Sequence, residues 1–353
     1  MNQLFAERLK SARLMNGLSL QDLSDKMGNK VSRQSLHKYE KGEVRPDSEM
    51  MGLLCDILAV RPDFFIRENA IELGSINFRK LAKCSEKDQV SIVEKTKETL
   101  SRYLELEEIL GLDDNFKHPL NNFKAISSFE DVELAAKEVR KQWGLGDEPI
   151  SNIIELLEDN HIKVIEIDAN DDFDGLQTWI KSKNIPVIVL NSSNFKPRDR
   201  RRFTILHELG HLLLPINNTE EKLEEKYCHA FAGAMLLPAN SLKRELGSKR
   251  NKLSIQELGI LKQQFGISIQ AIVMRALNCG IISDYYTKYY FKYISEMGWK
   301  VEEPYKLEGR EYPKRFSQLI FRGLSEEIIS MSKAASLMNL KLAEFRAKTL
   351  AVG

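Results

Sequence analysis

The chain has 353 residues, of which 29% are charged and 42% apolar, and its formal net charge is +1. This length predicts two or three folded units, and the small net charge excludes a general attraction to nucleic acid or membranes. The sequence shows no signal-peptide pattern at its N-terminus, no membrane-spanning apolar run and no cysteine spacing typical of disulfide scaffolds. We therefore expect a cytoplasmic protein without a membrane segment.

Residues 1–66 predict a compact all-helical module. Apolar residues at helical spacing predict four helices and a closing turn, over Gln3–Met15, Ser19–Met27, Ser32–Lys41, Ser48–Leu58 and Pro62–Phe65. The second and third helices form a helix-turn-helix pattern, with Gly28 opening the turn and Leu36 and Tyr39 giving the third helix an apolar face. The opposite face of that helix is then left for DNA, or for a protein contact if the module is only a small helical bundle.

The third helix of the module is the second helix of the motif, which enters the major groove in such domains. Most of the candidate DNA contacts therefore lie on it. The candidate contacts are Gln21, Ser32, Arg33, Gln34, Ser35 and Lys38. Ser32 is a good N-cap and the three residues after it are placed to reach base edges, whereas Gln21 and Lys38 are placed to bind phosphates.

This stretch resembles the Xre/lambda-repressor class of helix-turn-helix domains, on its serine-rich third helix, the Glu40-Lys41-Gly42 ending and the following Pro46. The resemblance implies binding to double-stranded operator DNA, usually as a homodimer on a two-fold site. Residues 1–50 contain nine Lys/Arg against seven Asp/Glu, so non-specific affinity is predicted to be modest and salt-sensitive.

Residues 67–125 predict a helical connector. The segment Phe78–Leu110 has amphipathic spacing for one or two helices, and the turn-rich sequence of residues 111–124 is a linker candidate. A second domain is predicted over 126–285. Its lead-in predicts helices near Val132–Trp143 and Ile150–Asp159 and strands over Ile162–Ile167, Leu176–Ile180 and Val187–Leu190.

A metal site is predicted at His207-Glu208-Leu209-Gly210-His211. On a helix the i, i+4 spacing places both imidazoles on one face, where they can share one Zn²⁺ ion. Glu208 projects beside the metal, where it can accept a proton from the attacking water in peptide hydrolysis. The less demanding alternative is a pair of core histidines on a buried helix.

A catalytic zinc takes three protein ligands, so a third ligand should follow. The next helix offers Glu220, Glu221, Glu224, Glu225 and His229. Glu225 and His229 share one face at i, i+4, and spacing alone does not choose between them.

The sequences FTILHELGH and ExxCHAFAGAMLLP resemble the ImmA/IrrE family of metallopeptidases, and the resemblance covers roughly residues 130–285. It implies an α+β, gluzincin-like zincin fold with a small twisted sheet on the two motif helices. It also implies Glu225 as the third ligand, with Cys228 where alanine is usual and His229 where asparagine is usual. A strand starting at Gly175 and Leu176 would bind substrate backbone at the sheet edge, the alternative there being a simple turn.

Two further segments have a structural interpretation. The basic run Lys196, Arg198 and Arg200–Arg202 favours a solvated face over nucleic-acid sensing. Residues 286–353 predict a helical C-terminal region that ends in a helix pair near Phe316–Ile328 and Lys333–Leu350, suited to dimerisation or partner binding.

Together these features predict a multi-domain transcriptional regulator, with a zinc peptidase domain that cleaves itself or a partner repressor to relieve repression. The alternative is an antitoxin-type autoregulator whose latent zinc-peptidase-like domain binds a cognate toxin or senses a signal without routine proteolysis.

Overall fold

A computed structural model describes residues 2–68, 71–76, 84–112, 115–193, 196–217 and 219–350. The chain is multi-domain and rich in helices, with one three-stranded sheet, as the sequence predicts. No helix in these ranges has the length and apolar character to cross a membrane. The helices are α1 Asn2–Met15, α2 Leu20–Lys26, α3 Arg33–Glu40, α4 Ser48–Leu58, a 3₁₀ helix Pro62–Ile66, α5 Glu86–Ile109, α6 Phe129–Gln142, α7 Ile153–Asp159, α8 Arg198–Leu213, α9 Glu221–Leu236, α10 Ala239–Leu246, α11 Ile255–Phe265, α12 Ile269–Asn278, α13 Asp284–Glu296, α14 Arg315–Ser325, α15 Met331–Leu337 and α16 Leu342–Leu350.

The N-terminal module has its own apolar core, formed by residues from α1 to the 3₁₀ helix. Ser19 and Ser32 cap α2 and α3 with their side chains, and Gly28 has a φ of +64° in the turn between them. Only glycine adopts that left-handed backbone conformation without steric cost, which explains the tight turn. All four predicted helices of this module are present.

Helix α5 links this module to the rest of the chain. It packs against α1 on one side and against β1, α14 and α15 on the other. The predicted segment Phe78–Leu110 contains this single helix, and residues 77–83 lie outside the described part of the chain. The domain limits 1–66, 67–125, 126–285 and 286–353 stay predictions.

The sheet consists of β1 Lys163–Ile167, β2 Gly175–Ile180 and β3 Ile185–Asn191, in the order β1-β3-β2. Strand β3 pairs parallel with β1 and antiparallel with β2. Successive residues of β3 face opposite sides, so Ile188 joins the core around α8 and α9 while Val187 and Val189 join the core around α5. Burial on both faces explains why the central strand is an unbroken apolar run.

The basic run before the metal motif is exposed at Arg200, but the interpretation as a solvated face is wrong for its last two arginines. Arg201 and Arg202 are buried at 7% and 3% exposure. Arg201 forms an ion pair with Glu166, and Arg202 with Glu311. These distant carboxylates compensate the cost of burying the guanidinium groups, and they fix the start of α8.

The C-terminal helix predicted over Lys333–Leu350 is two helices, α15 and α16. Asn339 lies between them with a φ of +52°, a left-handed conformation that ends a helix. Apolar residues of this region, including Ala334, Leu337 and Phe345, are buried against α5 and the sheet. The region therefore completes the core on the outer face of the sheet.

Candidate metal centre and nucleic-acid interface

The metal motif lies on two tightly packed helices. His207, Glu208 and His211 lie in the second half of α8, and Glu225 lies on α9. A Cβ atom at Gly210 would be only 3.2 Å from the Cα of Cys228, so glycine allows this close approach of the helices. Cys228 is fully buried on α9, where it faces Gly210 of α8.

Donor atoms of three side chains converge between α8 and α9, with each of the two Glu225 carboxylate oxygens facing one histidine. The Nε2 atoms of His207 and His211 are 3.2 Å apart. The Glu225 carboxylate lies 3.1 Å from His207 Nε2 and 3.3 Å from His211 Nε2. Hydrogen bonds from His207 and then His211 hold the pKa of Glu225 well below its usual range, so its carboxylate is in the charged form that a metal ligand needs.

These spacings fit a tetrahedral zinc ion. Zinc binds imidazole nitrogen and carboxylate oxygen at about 2.0–2.1 Å, which places neighbouring tetrahedral donors about 3.3–3.4 Å apart. His211 Nδ1 also lies 3.1 Å from Glu224, and such a carboxylate orients the ring so that Nε2 faces the metal. The residues present therefore suit the implied metal in number, type and spacing.

His229 is the second candidate for the third ligand, and it lies next to the same site. Donor atoms of His207, Glu225 and His229 fall within 4.8 Å of one another. The His229 ring centroid lies 4.3 Å from that of His207, and its Nδ1 lies 2.6 Å from the backbone oxygen of Glu225. That contact assigns the proton to Nδ1 and leaves Nε2 as the atom available to a metal. Among the remaining candidates of this helix, Glu224 contacts a motif histidine, with its carboxylate 3.1 Å from His211 Nδ1.

Glu208 is 4% exposed and lies on α8 between the two histidines. The edge strand β2 packs against the same helix. A Cβ at Gly175 would be 4.0 Å from Thr204, which lies one turn before His207. A substrate chain at this edge would therefore be close to the predicted catalytic residue.

The candidate DNA contacts lie on one surface of the N-terminal module. Gln21, Ser32, Arg33, Gln34 and Lys38 are exposed, and Ser35 is half-buried. Ser32 Oγ accepts a hydrogen bond from Ser35 N at 3.1 Å, and Gln21 Nε2 donates to Asp25 at 2.8 Å.

The structure gives three residues of this module positions or contacts that the sequence motifs did not assign to them. His37 and Lys41 are exposed and continue the face of Arg33 at four-residue steps along and beyond α3. Glu40 anchors the end of α3 by two hydrogen bonds from Arg13, at 2.6 and 2.9 Å. The helical spacing could have shown the exposed pair, whereas the Arg13 contact spans 27 positions and leaves no local signal.

Comparisons with known proteins identify both units. Residues 9–65 match the profile of the helix-turn-helix family. Residues 157–277 match that of a peptidase family, M78, described as an IrrE N-terminal-like domain. This protein joins a helix-turn-helix domain to an IrrE-like domain. Both resemblances drawn from the motifs are thereby confirmed.

The helix-turn-helix domain also has a named relative. It is 39% identical over 64 residues to the SPbeta prophage-derived uncharacterized HTH-type transcriptional regulator YonR of Bacillus subtilis (strain 168). The match covers 18% of this chain and 57% of the relative. The chain thus spans little more than half of the length of this relative.

Proposed function

We propose that this protein is a DNA-binding transcriptional regulator whose IrrE-like domain is a zinc peptidase, which cleaves the chain itself or a partner repressor. The observation that carries the peptidase part is the convergence of His207, His211 and Glu225 at 3.1 to 3.3 Å. Two imidazoles and a carboxylate leave the fourth tetrahedral position open, as in catalytic rather than structural zinc sites. When bound, zinc polarises a peptide carbonyl and lowers the pKa of water.

The residues of this chain then have separate tasks. His207, His211 and Glu225 hold the metal, and Glu224 orients His211. Glu208 accepts the proton of the attacking water and passes it to the leaving amine, since a carboxylate beside the reaction centre can do both in turn.

The regulatory part rests on α3. Leu36 anchors that helix in the core while Arg33, Gln34 and Lys38 remain exposed on it. Arginine and glutamine side chains at the start of such a helix can form bidentate hydrogen bonds to guanine and adenine edges. We propose operator DNA as the ligand of this surface and a homodimer as the binding form, since dimers bind two half-sites of a two-fold operator.

The Glu208→Gln variant tests the peptidase proposal. Glutamine keeps the shape of the side chain but cannot accept a proton, so we expect zinc content to stay near one equivalent while cleavage falls at least about 100-fold. Zinc is measured by atomic emission, and cleavage by mass spectrometry of the incubated full chain, with and without DNA and candidate repressors. Glu221→Gln, exposed on the first turn of α9, is the matched control. Equal cleavage by Glu208→Gln and the control would rule out this role, and zinc binding without any cleavage in the wild type would favour the antitoxin-type alternative.

A further inference from the structure

A short part of the connector pairs with β2, the strand at the edge of the sheet. Leu73 forms an antiparallel bridge with Ile180 at the end of β2. Gly74 N donates a hydrogen bond to the Trp179 oxygen at 2.7 Å, and Lys181 N donates to the Glu72 oxygen at 3.0 Å. Residues 72–74 of the connector thus pair with the end of β2 through a single antiparallel bridge.

Side chains hold this segment in place. Ile71, Leu73 and Ile76 are half-buried and pack against the apolar core on the outer face of the sheet. At Gly74 a Cβ atom would lie 3.3 Å from Trp179 Cβ and 3.4 Å from Trp179 N, closer than side chains normally approach. A glycine at this position therefore lets the two backbones come together.

The occupied edge leads to the metal site. In a strand, backbone groups of alternate residues point to the same edge, so Gly175 and Gln177 face outward together with Trp179. Gly175 is at the end of β2 that packs beside Thr204 and α8. Because the bridge is antiparallel, the connector runs from Lys181 towards that end of the strand. An incoming substrate paired to β2 would use the same edge.

We propose that residues 71–76 are an internal ligand of the peptide-binding edge, so that the IrrE-like domain is self-occluded until the connector leaves β2. This inference rests on the proposed peptidase function for its biological meaning, but not for its test. The segment of residues 71–76 begins four residues after Arg67, which contacts Asp63, Glu98 and Ser336. A shift of the helix-turn-helix domain away from α5 would therefore pull on the segment and open the edge.

The first test is hydrogen exchange on the full chain carrying Glu208→Gln, so that no cleavage disturbs the result. In this background the amides of Gly74 and Lys181 should exchange at least about tenfold more slowly than unstructured amides, because both donate hydrogen bonds. Adding Gly74→Pro removes one of these donors and places a ring against Trp179. The Lys181 amide should then lose its protection.

The second test is binding of a labelled peptide with the sequence Ile-Glu-Leu-Gly-Ser-Ile, measured by fluorescence anisotropy. It should bind the Gly74→Pro protein at least about tenfold more tightly than the protein with an intact connector, because the edge is open. Glu72→Gln is the control, since Glu72 contributes its backbone oxygen and its side chain is exposed. Leu73→Ser, which weakens only the apolar anchor, serves as a second opening variant if Gly74→Pro does not fold.

Equal peptide affinity with and without an opened connector, or unprotected Gly74 and Lys181 amides, would overturn the inference. Loss of peptidase activity would not affect either measurement. Failure of the proposed function and failure of the self-occlusion inference are therefore distinguishable.

Discussion

Two side chains of α9, Glu225 and His229, are the candidates for the third ligand of the proposed metal site. Both share one helical face, which is why the sequence alone left them open. The distances favour Glu225, because its carboxylate lies within 3.3 Å of both histidine Nε2 atoms. His229 instead bonds to the backbone of its own helix and stacks beside His207.

The two α9 candidates should differ in their effect on zinc affinity. We expect Glu225→Ala to weaken zinc binding more than about 100-fold, because it removes a ligand. His229→Asn should weaken it by only about tenfold, the lower end of the range for residues that support a ligand without binding the metal. Competition with a fluorescent chelator measures both. If His229→Asn loses as much affinity as Glu225→Ala, His229 is the ligand.

Glu158 on α7 carries a buried carboxyl whose pKa is raised to about 7, chiefly by burial, although hydrogen bonds from the backbone of Arg315 and Lys314 oppose the shift. The ordinary value is 4.5, so the unfolded chain ionises first and the folded state is penalised as the pH rises from about 4.5 to 7. The penalty that Glu158 imposes on the free energy of unfolding is therefore smallest below pH 4.5 and largest above pH 7.

The Glu158→Gln variant removes that penalty. It should be more stable than the wild type by about 1–2 kcal/mol at pH 8, a value discounted for partial solvent exposure, and by much less at pH 5. Thermal unfolding at the two pH values measures the difference. Glu155→Gln, exposed on the same helix, should show no such pH-dependent gain. A stabilisation of equal size at both pH values would contradict the titration argument.

At the scale of elements, local patterns predicted most helices and all three strands. The strands were readable because Val187–Leu190 is apolar throughout and the turns around it are polar. The predicted helix bounds Lys333–Leu350 run across Asn339, because apolar residues continue on both sides of it, although the sequence from Ser330 to Lys348 also has the pattern of a helix pair. The burial of Arg201 and Arg202 was also missed, because their partners Glu166 and Glu311 are far away in the sequence.

The order of exposed residues along α3 predicts two kinds of DNA contact. Arg33 is in the first turn, where side chains reach base edges, so Arg33→Ala should weaken operator binding by about 10–100-fold and relax specificity. Lys38 is in the last turn, where a side chain contacts phosphates. Lys38→Ala should therefore weaken specific and non-specific binding alike, and it should reduce the slope of log affinity against log salt concentration by about one.

Gel-shift titrations at several salt concentrations, on an operator found by selection from random DNA, measure both effects. Lys10→Ala, exposed on α1, is the control for a general loss of positive charge. Equal effects of Arg33→Ala on operator and random DNA would argue against base reading by this residue.

At the scale of the whole molecule, α5 connects the two functional units. Arg8 of α1 forms a buried ion pair with Glu98 of α5 at 2.5 Å, and Ser11 donates to Glu94 at 2.6 Å. Further along the same helix, Glu107 forms a buried ion pair with Lys163 of β1. These contacts are specific but long-range, so the amphipathic pattern of the helix could predict that it packs but not what it packs against.

Glu98 is the centre of this junction, because Arg8, Arg67 and Arg102 all lie within 3.5 Å of its carboxylate. The side chains of Arg8 and Glu98 are only 3% and 4% exposed, so Glu98→Gln would leave buried cations without their counter-charge. Removing one partner of such a cluster costs about 3–5 kcal/mol.

The loss of stability in Glu98→Gln falls on the interface rather than on either core. Calorimetry should therefore show the helix-turn-helix domain unfolding separately and earlier, and limited proteolysis should cut the connector faster. Glu108→Gln, exposed near the end of α5, should leave one joint transition. A uniform decrease in melting temperature without separation would mean that Glu98 stabilises the whole fold and does not couple its two domains.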